Sequence, residues 1–192
     1  MADTGTRSPT NATGYQFSPA NVYDGNDSTA AVAYAFSNQV KTYTLGGFDG
    51  DDLPIGATVN GVKVRIRARH YVVASYEAAA ITSVKLSLND GSAYSSNILS
   101  SNQNTTGTYA DYEFGGASET WGLDWSGFTD ISDLKVEYKS APADGTGNHY
   151  FLSAEVDAIV YYDATETVTV SPKKIIIKSG TLSLNGGNII IK

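Results

Sequence analysis

The stretch Val62-Lys63-Val64-Arg65-Ile66-Arg67-Ala68-Arg69 puts an apolar residue at every even position and a cation at every odd one. Successive side chains of a pleated strand leave on opposite faces, so this segment offers one face to a core and the other to water. The same period recurs along the chain. Val84, Leu86 and Leu88 share one face of a second strand, and Leu134, Val136 and Tyr138 share one face of another, with Lys135, Glu137 and Lys139 outside. In residues 154–162, Val156 and Val160 face inward while Glu155 and Asp157 face away. Leu53-Pro54-Ile55-Gly56, Asn89-Asp90-Gly91 and Ala143-Asp144-Gly145-Thr146-Gly147 supply turn formers between such segments. The expected fold is all-β: an antiparallel two-sheet β-sandwich of about eight strands. Residues 74–81 have good helix propensity, yet they sit between two strands and are expected to finish one hairpin arm and start the next.

Composition agrees with a folded domain. The chain has 192 residues, 41% hydrophobic and only 17% charged, too apolar for disorder and too uncharged for a coiled coil. With no cysteine, disulfides, Cys-based zinc and a thiolate nucleophile are all excluded. The start, Met1-Ala2-Asp3-Thr4-Gly5, shows no signal-peptide pattern, and the longest apolar run, residues 30–36, is far short of the roughly 20 residues of a membrane span. A soluble product without a membrane partner is expected. The net charge of −7 argues against nucleic-acid binding, which needs clustered Lys and Arg. Charge is uneven: residues 1–165 carry nine basic and 19 acidic residues, whereas residues 166–192 carry four basic and one acidic.

Three regions follow. Residues 1–20, rich in Thr, Ser, Gly, Asn and Pro, read as an extended N-terminal arm, either loose or laid along another surface. Residues 21–163 hold the sandwich. Residues 164–192 read as a C-terminal β-ribbon, in which Lys174-Ile175-Ile176-Ile177-Lys178 recurs as Asn188-Ile189-Ile190-Ile191-Lys192, with Thr181-Leu182-Ser183-Leu184 between. Strands apolar on both faces need neighbours, since an isolated hairpin is marginal in water. Ile175, Ile176, Ile177, Leu182, Leu184, Ile189, Ile190 and Ile191 are therefore the candidate oligomerisation or attachment residues. Their partner is either the chain's own sandwich or the ribbons of two sister chains, as in a trimer.

Candidates for chemistry are few. The histidines are His70, closing the cationic strand, and His149, in a Gly-rich turn; both read as surface or loop residues rather than halves of a dyad. No nucleophile elbow, phosphate-cradling loop or zinc helix occurs, so no catalytic residue, cofactor or metal is expected. Asp24-Gly25-Asn26-Asp27-Ser28 and Asp49-Gly50-Asp51-Asp52 offer oxygen ligands for calcium, but lack EF-hand spacing and equally suit ordinary turns. Trp121 and Trp125 suit either core packing or sugar stacking. The face bearing Lys63, Arg65, Arg67 and Arg69 suits either an acidic partner or pairing with Glu155 and Asp157 across the sheet.

Four segments together resemble a domain of tailed-bacteriophage virion structural proteins. They are residues 21–29 (Asn-Val-Tyr-Asp-Gly-Asn-Asp-Ser-Thr), the turn and strand beginning Leu53-Pro54-Ile55-Gly56-Ala57-Thr58-Val59-Asn60-Gly61, the segment Tyr112-Glu113-Phe114-Gly115-Gly116-Ala117-Ser118-Glu119-Thr120-Trp121-Gly122-Leu123, and the closing strand Val156-Asp157-Ala158-Ile159-Val160-Tyr161-Tyr162. The resemblance spans about residues 21–163; Ile55 stands where that family usually has Ser. It implies a jelly-roll-like sandwich serving in capsid decoration, head fibres or tails, with no catalytic residues. The function expected from it is a non-enzymatic capsid decoration (cement) protein, assembled in the bacterial host cytoplasm and located in the virion. Its partners would be copies of itself and other virion proteins such as the major capsid protein. The alternative is a tail-fibre or receptor-binding module that recognises host-surface carbohydrate.

Overall fold

The computed structural model describes residues 1–164, apart from 25, 27, 28, 37, 51, 73–75, 89 and 90. In chain order the elements are β1 (Ala2–Asp3), β2 (Asn11–Thr13), a 3₁₀ turn (Pro19–Val22), β3 (Ala31–Ala35), β4 (Lys41–Gly46), β5 (Thr58–His70), β6 (Ala79–Ser87), β7 (Gln103–Asn104), β8 (Ala110–Gly115), a second 3₁₀ turn (Ile131–Asp133), β9 (Lys135–Pro142) and β10 (His149–Asp163). They form two antiparallel sheets, so the chain is an all-β sandwich. One sheet runs β1-β10-β5-β8, with β3 also on β10; the other runs β2-β4-β9-β6-β7. Among the described residues no helix is long and apolar enough to cross a membrane.

The alternating strands sit as their sequences require. Val62, Val64, Ile66 and Ala68 are fully buried, and so are Val84, Leu86, Leu134, Val136, Tyr138, Val156 and Val160. These side chains fill one core between the sheets. Ala79, Ala80 and Ile81, from the stretch with helix propensity, are buried inside β6; pairing with Ala141 and Ser140 of β9 outweighs an intrinsic preference of a few tenths of a kcal/mol per residue.

Among the described residues there are ten strands where about eight were expected, because β1, β2 and β7 are only two or three residues long and come from segments without alternation. They are recruited by unpaired strand edges. β10 spans 15 residues, and its outer edge is shared. β3 covers residues 149–153, while β1 pairs Ala2 with Tyr162 and Asp3 with Tyr161. The Arg7 and Ala158 backbones then exchange hydrogen bonds of 2.8 and 2.9 Å, before the chain crosses to the other sheet as β2 beside β4. The N-terminal arm thus lies along its own sandwich, spending its amides there rather than on a neighbour, because buried edge groups must be paired. The C-terminal ribbon, with Ile175, Ile176, Ile177, Leu182, Leu184, Ile189, Ile190 and Ile191, lies outside the described residues.

Two of the segments singled out in the sequence, residues 53–64 and 112–123, meet in one corner. Val62 N donates to Glu119 O (2.9 Å), and Val62 O accepts from both Gly116 N (3.0 Å) and the Trp121 indole Nε1 (2.9 Å). Gly61 lies so close that a Cβ there would sit 2.3 Å from Gly116 O. These glycines and Trp121 are a structural joint.

Candidate binding face

The outer face of the first sheet changes character along its length. A bulge between Ser153 and Glu155 switches the parity of β10, so Tyr150 and Leu152 point outward before it, and Glu155, Asp157 and Ile159 after it. Beyond the bulge the outward cations of β5 meet carboxylates on both neighbouring strands. Lys63 Nζ lies 2.9 Å from Glu113, Arg67 lies 3.2 Å from Asp111, and Arg65 holds Glu155 at 2.5 Å while also gripping Asp157. Cross-strand pairing accounts for this basic face, as one of the two readings of the sequence had it. Lys63, Arg65 and Arg67 are consumed within the sheet.

Before the bulge the same face is aromatic. Tyr34 of β3 pairs in register with Tyr150 of β10, and Tyr71, just past β5, donates its backbone N–H to Tyr150 O at 3.2 Å. Three tyrosines therefore stand in one row across three adjacent strands. Ring centroids are 4.5 Å apart for Tyr34–Tyr150 and 6.0 Å for Tyr71–Tyr150. Tyr76 adds an edge contact to Tyr34 (5.5 Å) and Tyr150 (4.8 Å), and Phe36 lies 4.1 Å from Tyr34. The cluster faces solvent: Phe36 is 58% exposed, Tyr71 46% and the adjoining Val72 69%. Surfaces left this apolar by a soluble fold commonly mark binding sites. Loss of water around its hydroxyl, followed by a hydrogen bond with Tyr76, pushes the Tyr34 phenol up to about 12, so it stays a neutral donor and acceptor.

The tryptophans do something else. Trp121 and Trp125 are 5% and 8% exposed, with indole N–H groups on Val62 O and Thr120 O, both at 2.9 Å, and Trp125 packs edge-on against Phe128. They are core and corner residues and form no sugar platform. The tyrosine cluster escapes a sequence reading because its members lie between positions 34 and 150; abundant tyrosine is the one hint.

His149 is also not a loop residue. It opens β10 with its ring fully buried, Nε2 lying 3.2 Å from Ser140 Oγ, which in turn meets the Tyr43 hydroxyl at 2.7 Å. This Ser–His pair is sealed from solvent beside a stack of aromatic rings, the buried Tyr43, Tyr138 and Phe151 and the half-buried Tyr15. Burial holds the His149 imidazolium pKa down at about 4, with nearby Lys41 adding to the effect, and burial raises the phenols of Tyr15, Tyr43 and Tyr138 above their ordinary value. The unfolded chain binds a proton near pH 6.5 where the folded one refuses it, so stability declines as pH falls from about 6.5 and this contribution is gone by about pH 4. The loss expected is up to about 3 kcal/mol. Urea midpoints measured from pH 7 to 4 should fall for the native protein and fall less for His149→Gln; parallel curves would refute the assignment.

His70, by contrast, remains at the sheet end, with Nδ1 3.1 Å from Thr105 O. Of the two candidate calcium loops, Asp24 spends its carboxylate on Asn26 N (2.9 Å) and Thr29 Oγ1 (2.6 Å), and Asp49 accepts from Ser8 N (3.2 Å). Gly25, Asp27, Ser28 and Asp51 lie outside the described residues. Among the described residues no group of three or more His, Cys, Asp or Glu is placed to hold a metal.

No family model matches the chain, and no curated protein matches it. Several solved structures are similar. One is a truncated AlyQ with CBM32 and alginate lyase domains, at 17% identity and a TM-score of 0.43, covering 85% of this chain and 34% of that one. A structure titled "CBM4 structure and function" has 14% identity and a TM-score of 0.37, covering 83% and 94%. The N-terminal cellulose-binding domain of Cellulomonas fimi β-1,4-glucanase C has 14% identity and a TM-score of 0.34, covering 82% and 89%. The chain spans about a third of the length of the first of these.

Proposed function

We propose that this protein is a non-catalytic recognition module that binds carbohydrate on the Tyr34–Tyr150–Tyr71 row, flanked by Tyr76 and Phe36. The observation that carries this reading is the placement of three tyrosines side by side on the solvent face of a sheet. The apolar C–H faces of sugar rings stack on aromatic rings, and phenol hydroxyls reach the sugar hydroxyls around them. A platform on strands is rigid before the ligand arrives, so little ordering cost opposes binding.

With the resemblance to phage virion domains, the exposed tyrosine row favours a receptor-binding module of a tail fibre, attached or oligomerised through the C-terminal segment. Capsid decoration is less favoured, since the N-terminal arm is already engaged with its own sandwich.

A glycan array tests the reading. Saturable binding by the native protein, reduced tenfold or more in Tyr150→Ala with cooperative melting intact, is expected; one tenfold step is about 1.4 kcal/mol, the size of one lost stacking contact. Binding to expanded capsids with no glycan bound would instead support decoration.

A further inference from the structure

We propose that the carbohydrate taken by this face is acidic, a carboxylated sugar chain whose carboxylate pairs with Arg69. This rests on the sugar-binding reading above and adds the ligand's charge class. Arg69 pairs in register with Leu152, which pairs on its other side with Val32. These residues form the second outward row, two positions along the strands from the tyrosines, about 7 Å away. Ala68 pairs with Ala110, which brings Tyr109 beside Arg69, and the guanidinium carbon lies 4.9 Å from the Tyr109 ring centroid. The row thus presents a cation spread flat against an aromatic ring next to the stacking platform.

Arg69 also differs from the other three cations of its strand. Lys63, Arg65 and Arg67 each have a carboxylate within ion-pair distance. Arg69 has none among the described residues; its polar contact is a long one, 3.5 Å, from Nη1 to Gly107 O, and its Nε is buried without a hydrogen-bond partner. A guanidinium presents paired N–H donors that match a carboxylate, and its charge persists at any physiological pH. A uronic acid stacked on Tyr71 or Tyr150 would extend its carboxylate toward this position. The acidic body, with 19 carboxylates against nine cations in residues 1–165, repels polyanions elsewhere, so binding concentrates where Arg69 is uncompensated.

The test uses the full chain and a panel of uronic-acid oligosaccharides, each compared with its own methyl ester, together with neutral oligosaccharides, by titration calorimetry. The native protein should prefer an acid over its ester by tenfold or more. Arg69→Gln should abolish that preference and keep the weaker ester binding, while Tyr150→Ala reduces both. Acid and ester bound equally by the native protein, or only neutral sugars bound, would overturn the acidic class and leave the sugar platform standing. No binding of any sugar would overturn both. The acid-to-ester comparison in the native protein decides even if Arg69→Gln folds poorly.

Discussion

Arg65→Ala is expected to lower the unfolding free energy by about 3–5 kcal/mol, the cost of stranding a buried charge. Arg65 lies between β10 and β8 and holds Asp157, Glu155 and, at 3.7 Å, Asp111. The Asp157 side chain is only 2% exposed, and without Arg65 its remaining side-chain partner is Ser8 Oγ at 3.2 Å, which belongs to the N-terminal arm. One neutral hydroxyl does not compensate a carboxylate removed from water. The measurement is the urea midpoint, with the slope checked for two-state behaviour. Replacing both partners, Arg65→Met with Asp157→Leu, should recover most of the loss, because no unpaired charge is then left inside. A single-variant loss under 1 kcal/mol would mean that this pair behaves as a solvated surface bridge, which typically contributes 0–1 kcal/mol.

Gly115→Ala is expected to cost about 2–5 kcal/mol, from two independent sources. Gly115 has φ of +75°, a left-handed conformation that penalises any Cβ by roughly 1–2 kcal/mol. A Cβ there would also sit 2.3 Å from Val62 O and 2.9 Å from Trp121 Nε1, displacing the indole from the carbonyl it shares with Gly116 N. Neither neighbour can yield easily: one is backbone inside a central strand, the other a buried ring. Thermal unfolding should show the shift, and near-ultraviolet circular dichroism should report the moved Trp121. A variant that melts with the native protein would show that this joint relaxes freely and is not what fixes the corner. Glycan binding should persist in folded Gly115→Ala, because the joint lies on residues 61–62 and 115–121, away from the tyrosine row.

The strands themselves could be read from residue order. Val62 to Arg69, Val84 to Leu88 and Leu134 to Lys139 each announce a buried and a wet face, because side-chain direction in a strand depends only on the parity of neighbouring positions. The pairing of Arg65 was visible in the same way, in the complementary alternation of Glu155 and Asp157, whereas the β8 partners of Lys63 and Arg67, Glu113 and Asp111, were not. The short strands of the arm were not, since nothing in Ala2–Asp3 or Asn11–Thr13 alternates; they form because β10 and β4 have edges to fill.

The candidate site lies beyond that local logic. By residue type Trp121 and Trp125 suit core packing and sugar stacking alike, and what decides for Trp121 is a corner made by segments some 60 positions apart. His149, placed by its Gly-rich surroundings in a turn, is buried in β10 with Ser140 of β9 against its ring and Tyr43 of β4 on that serine. Tyr34, Tyr71 and Tyr150 carry no shared motif; strand pairing and one bulge in β10 set their register. Parity along one strand is a short-range property that the order of residues specifies alone. Which outward residues become neighbours depends on how distant strands align, and that alignment exists only once the two sheets have closed on their core.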